Sequence, residues 1–253
     1  MQVEGFGKWY EIPENLIQQF MVELHPATLP GERESLEEIR EMTGLVLDTI
    51  RSEPELMDHK EYEDDYIKGV EDCRLVQGSS DFEFVGTSRS FSDNGTNKMF
   101  HVWKAPEEDT WSLKQLALPP GVSPGETQKN WLPFRKAEDP EKLLHIYSFS
   151  PFKVCDAATG HVVAFTDTSN TAKPYSLKEY RGSAGPAAWS SANHPEEAYL
   201  CVMHKVYIGG EGRRYYHRFM TLDGALRPSR VSCWVRFTQE RVEYWSGLAP
   251  SLD

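Results

Sequence analysis

The sequence lacks any apolar run near the ~18 residues that a membrane-spanning helix needs, and its 39% of hydrophobic residues are spread along the chain. The opening MQVEGFGKWYEIPENL has no basic stretch followed by an apolar one, so no secretory leader is read there. The expected location is the cytoplasm. Cysteine is scarce: Cys73, Cys155, Cys201 and Cys233 stand far apart and form neither CxxC nor a zinc-ligand spacing. Free thiols are expected, with Cys201 a small buried hydrophobe within AYLCVM. Gly-x-Ser-x-Gly, Walker, Rossmann and HExxH motifs are all missing. No cofactor and no metal are therefore expected. A basic stripe is missing too. The net charge of −12 argues against nucleic-acid phosphates as a partner and against an anionic membrane surface.

The acid is concentrated at one end. Residues 1–70 hold 17 acidic and 6 basic residues, a net of −11, whereas residues 71–253 are close to neutral at −1. Within the acidic quarter, IPENLIQQFMVEL repeats Leu16, Phe20 and Leu24 at helical spacing. A capping box, Ser35-Leu36-Glu37-Glu38, precedes Leu36, Ile39, Val46 and Ile50 at the same period, and Pro54 closes the run. The spacing predicts an acidic helical segment over residues 1–65. Its helices offer a surface for a protein partner or for self-association.

After Gly69 the pattern changes to strands. DFEFVGTS, KMFHVWKA, KLLHIYSFS, HVVAFTD, AYLCVMHKVY, RYYHRFMTL, CWVRFT and VEYWSGL are short, β-branched or aromatic, and bounded by turn signals such as SDNG, DAATG and TLDGAL. In SDNG, Gly95 is expected to supply a positive φ. Three stretches echo one another at a period of about 55 residues: EDCRLVQGSSDFEFVGTSRSF from Glu71, NWLPFRKAEDPEKLLHIYSFSPF from Asn130, and RGSAGPAAWSSANHPEEAYLCVMHKVY from Arg181. A repeat made only of strands and turns has the form of a propeller blade. The predicted fold class is all-β, with a β-propeller over residues 66–253. Three units and part of a fourth are visible, so the ring is incomplete by this count. Propellers gather their first strands around one central pocket, so Asp72, Arg74, Trp131 and Arg181 are expected to converge.

The motifs EDCRL, GTSR, KNWLPF, YSFSPF, RGSAGP, HRF and VEYWSGL span residues 69–248. As a set they resemble five-bladed propeller proteins that act on glycosides. The chain is similar to the mannoside phosphorylases of glycoside hydrolase family 130, whose EDPR element reads Glu71-Asp72-Cys73-Arg74 here. It resembles still more a sister group of propeller proteins found beside glycosyltransferases in bacteria and large viruses. The resemblance implies a carbohydrate-active enzyme that works on a glycosidic linkage by transfer, phosphorolysis or hydrolysis. The alternative is a propeller that binds glycan without chemistry or supports a glycosyltransferase. The implied partner is a glycan, a sugar nucleotide or a sugar phosphate.

Each site residue has two readings. Glu71 and Asp72 are the candidate catalytic acids, since glycoside chemistry needs a carboxyl group. Adjacent strand residues point to opposite faces, so one of them faces the pocket; the resemblance favours Asp72. Its other reading is an ion pair with Arg74. Arg74, Arg89 and Arg181 suit bidentate oxyanion binding or structural ion pairs. Arg181 stands beside Gly182, Ser183 and Gly185, a loop able to offer backbone N–H groups. Asn130 can bond hydroxyls, and Trp131 can stack on a sugar ring or serve as core. Tyr147 shares that reading. His204 and His217 lie on separate strands and are read as pocket or structural histidines.

Overall fold

The computed structural model of the chain describes residues 15–20, 46–52, 70–76, 82–89, 91–104, 112–169, 176–209, 212–235 and 247–248. Every regular element among them is a strand. In chain order these are β1 (Asn15–Phe20), β2 (Val46–Ser52), β3 (Glu71–Leu75), β4 (Phe82–Ser88), β5 (Lys98–Lys104), β6 (Ser112–Gln115) and β7 (Leu132–Lys136). There follow β8 (Asp139–Phe149), β9 (Phe152–Asp156), β10 (Val162–Thr166), β11 (Arg181–Ala188), β12 (Glu197–Gly209), β13 (Gly212–Asp223) and β14 (Pro228–Val231). No helix among the described residues is long and apolar enough to cross a membrane.

The all-β expectation holds. Three four-stranded antiparallel sheets, β3-β4-β5-β6, β7-β8-β9-β10 and β11-β12-β13-β14, each run in sequence order. Such a meander needs only short turns between neighbours. The second and third sheets share one turn device. Asp156 Oδ1 accepts from the Ala158 and Thr159 amides at 2.9 Å, and Asp223 Oδ1 accepts from those of Ala225 and Arg227 at 2.9 and 2.8 Å. In the SDNG turn Gly95 has φ 69°, as expected.

The helical reading of the N-terminal quarter fails where it can be compared. β1 and β2 pair antiparallel, with Leu16 opposite Arg51 and Ile17 opposite Ile50. Their short apolar runs fit either period, and sheet pairing overrides such weak local preference. The capping box at Ser35 and the remainder of residues 1–65 lie outside the described residues.

The sheets stack face to face, which explains their continuous apolar runs. Central strands are covered on both sides, so Val85 and Val202 are buried together with both sequence neighbours, and Ile146 with His145. Val85, Met99, Trp131 and Ala157 join the first sheet to the second. Leu132, Phe134, Ile146, Val154, Cys201, Met203, Met220 and Leu222 join the second to the third. A buried ion pair is among the polar contacts that cross the first interface. Buried Glu83 on β4 binds Arg135 of β7 and approaches His101 Nε2 of β5 at 2.5 Å. Burial works to raise its pKa, but the bonds from His101 and Arg135 outweigh that and hold it below the usual carboxylate range.

Candidate functional site

The three opening motifs stand on or just before the first strands of the sheets, and these strands meet. Glycine permits the approach. A Cβ on Gly182 of β11 would overlap the Asn130 carbonyl oxygen and lie 2.5 Å from Leu132 Cγ of β7.

Arg74 on β3 ties the meeting point together. Its side chain is 2% exposed. Nε donates to the Ser183 carbonyl at 3.1 Å, and Nη1 to the Asp72 carbonyl at 2.7 Å. Nη2 donates to Asn130 Oδ1 at 3.0 Å and to the Gly182 carbonyl at 3.2 Å. One guanidinium thus binds the starts of all three sheets. Burial lowers its pKa to about 10, which leaves it charged at neutral pH. Its donors are committed inside the protein, so the oxyanion-binding reading of Arg74 gives way to a structural one.

The chain needs unusual backbone here. Asp72 has φ 53° and Asn130 has φ 63°. Both residue types enter the left-handed region more readily than most. At Asp72 the β3–β4 register slips between the pairs Glu71↔Thr87 and Arg74↔Val85. The bulge breaks simple alternation and turns the Arg74 side chain toward the neighbouring sheets. Glu71 is half-buried and accepts from Lys129 Nζ at 3.4 Å.

On the third sheet, Ser183 Oγ bonds His204 Nδ1 at 2.7 Å, with both residues buried. His204 pairs in register with exposed Arg181 on β11 and with buried His217 on β13. The His204 and His217 ring centroids are 6.2 Å apart. Burial, then the charges of His217, Arg74 and Arg181, lower the His204 pKa to about 3. It is therefore neutral, and its Nδ1 shares one hydrogen bond with the Ser183 hydroxyl.

The structure thus brings Glu71, Asp72, Arg74, Asn130, Arg181, Ser183, His204 and His217 into one neighbourhood. Trp131 adjoins it but belongs to the core. At 2% exposure it stacks on His145, centroids 4.3 Å apart and planes 6° apart. An indole covered in this way offers no face to a sugar. Half-buried Tyr147 stands edge-on to it at 5.3 Å. Arg89 serves the turn after β4, where Nε donates to the Gly95 carbonyl at 2.7 Å.

Sequence reasoning missed Lys129 and His145. Lys129 precedes the Asn130-Trp131 motif, so its place was visible although its partner Glu71 was not. His145 looked like one polar position in an apolar strand. Elsewhere, His194, Glu196 and Glu197 bring ligand-type atoms within 4.8 Å of one another. The Glu197 carboxylate is already bonded by Thr221 at 2.9 Å, Arg230 at 2.9 Å and Trp189 at 3.3 Å.

No protein-family model matches this chain, and no curated protein matches it. Among solved structures it is similar to a subtype N11 neuraminidase-like protein of A/flat-faced bat/Peru/033/2010 (H18N11), at 7% identity and a TM-score of 0.32. That similarity covers 64% of this chain and 38% of the other, so this chain spans well under half its length. None of these comparisons supports membership of the mannoside phosphorylase group.

Proposed function

We infer that the three sheets are blades of a five-bladed propeller that holds a glycan where β3, β7 and β11 meet. The observation that carries this reading is Arg74. It binds Asp72, Asn130, Gly182 and Ser183, and so supports a shared mouth that Arg181, next to Gly182, would border. Carboxylate, amide and guanidinium groups so placed can bond sugar hydroxyls in both directions, and exposed Arg181 suits an anionic substituent such as phosphate. The choice of glycan rests on the motif set from EDCRL to VEYWSGL.

Binding is preferred to chemistry by the supply of acids. Glycoside cleavage uses two carboxyl groups placed on either side of the scissile bond. Here Glu71 and Asp72 are neighbours on one strand, and LPFRK of β7 and RGSAGPAA of β11 contain no acid. A catalytic role in transfer, phosphorolysis or hydrolysis is favoured by one observation, the left-handed backbone of Asp72, since such strain gathers at functional sites.

Calorimetric titration with sugars, sugar phosphates and sugar nucleotides tests both readings. Arg181→Ala is expected to weaken binding about ten-fold, in the range for losing a charge-assisted bond, with an unchanged melting temperature. Turnover by the unaltered chain that falls ~10²–10⁴-fold in Asp72→Asn would establish the enzyme. A panel that yields neither binding nor turnover would remove both readings.

A further inference from the structure

The longest hairpin overshoots its sheet. The last β11–β12 pair is Arg181↔His204, yet β12 and β13 stay paired from Lys205↔Tyr216 to Gly209↔Gly212. The overhang therefore rises from the end of the third sheet that carries Arg181 and His204. Tyr207 stands three residues past His204, about 10 Å along the strand at ~3.3 Å per residue.

Exposed aromatic residues stand on the overhang and on the segment after β14 that runs beside it. Tyr207 is 53% exposed and Trp234 57%. Tyr216 lies between them, with ring centroids 5.1 Å from Tyr207 and 5.0 Å from Trp234 and planes near perpendicular at 81° and 83°. These contacts put the three rings on one face of the hairpin. Lys205 Nζ sits 5.1 Å from the Tyr207 ring centroid and pairs with Glu179 at 2.5 Å. Arg214 is exposed and opposite Tyr207 in register, so it shares that face. Soluble proteins seldom expose clustered large rings without a use for them. Residues 205–218 carry four basic residues and one acidic residue in a chain of net charge −12.

We propose that the Tyr207–Tyr216–Trp234 face is a distal binding site for an extended acidic saccharide chain whose other end occupies the central mouth. The proposal rests on the glycan reading of that mouth and extends it. Flat C–H faces of sugar rings stack on exposed aromatic rings, which pair an apolar body with a wet rim. Carboxylate or sulfate groups on the same chain meet Arg214, while Arg213, on the opposite face of β13, adds only to the local field. The local positive field on a negative molecule selects anionic chains over neutral ones. It disfavours nucleic acid, whose dense phosphates meet the net negative charge of the remainder.

The test is affinity electrophoresis of the full chain in native gels containing polygalacturonate, hyaluronate, sulfated dextran, neutral dextran or single-stranded DNA. An acidic polysaccharide is expected to retard the protein, whereas neutral dextran does not. Tyr207→Ala and Trp234→Ala should each weaken retention about ten-fold, as exposed aromatic anchors do, with melting temperatures unchanged. Arg214→Gln, which leaves the rings in place, should flatten the salt dependence. Arg181→Ala should keep retention by the polymer while losing affinity for single sugars. That split separates failure of the distal site from failure of the central one. Retardation by no acidic polysaccharide would overturn the proposal. So would retention indifferent to both ring variants, or equal retention by DNA.

Discussion

At the scale of single residues, the molecule spends its buried polar groups on assembly. Arg74 is the clearest case, since its four acceptors belong to the starts of three sheets. Arg74→Ala strands those acceptors, and a loss of about 3–5 kcal/mol is expected, as for breaking a buried charge network. Urea denaturation measures it; a midpoint near that of the unaltered chain would show that the network is dispensable. Lysine should rescue little, because one ammonium cannot span a forked set of acceptors.

The buried histidines make a separate prediction about acid. Burial lowers the pKa of both His145 and His204 to about 3, against an ordinary value of 6.5. Their unfolded forms take up protons first, so stability is full above pH ~6.5 and falls progressively toward pH ~3. Each contributes a slope of about 1.4 kcal/mol per pH unit in that window. His145→Phe keeps a flat ring against Trp131 and should remove one such slope. Denaturant melts between pH 7.5 and pH 4 read this directly; parallel pH profiles for variant and parent would contradict it.

At the scale of elements, strand-to-strand clearance decides whether the sheets meet. Gly182 admits β11 to within contact of β7 because it has no Cβ. Gly182→Ala must push the Asn130 backbone or Leu132 away. A loss of about 1–3 kcal/mol is expected, as for overpacking a tight core. Sugar affinity should fall with it, since Asn130 moves with the strand. A thermal melt with a sugar titration checks both, and an alanine variant as stable as its parent would mean that the strands have slack. The same scale shows why the helix reading fails at Asn15–Phe20 and Val46–Ser52. Leu16 and Phe20 stand at helical spacing, but β1 and β2 each meet a partner strand instead.

At the scale of the whole molecule, the three sheets share cores in series, the second packed on both sides. Stability should grade accordingly. Backbone amides of Ile146, Val154 and Cys201 are expected to exchange slowest with deuterated water, and those of Ile208 and Gly209 on the overhang fastest. Exchange mass spectrometry settles the order. Equal protection on β8 and on the overhanging tip would count against the packing described here.

Much of this was legible in the residues. The strand-and-turn pattern after Gly69, the three echoing motifs and the left-handed Gly95 turn follow from local chemistry, which acts over a few residues. So did the gathering of Asp72, Asn130 and Arg181, because repetition implies equivalent placement. The division of roles was not legible. Arg74 and Arg181 look alike in sequence, yet one is buried among four carbonyl and amide oxygens and the other is exposed. Trp131 reads equally as platform or core until His145 is found lying against it. Those distinctions depend on which atoms from distant strands arrive at 3 Å, and burial of that kind is a property of sheets packed together. Local patterning fixes which segments become strands; contact between strands decides which side chains remain free to meet a ligand.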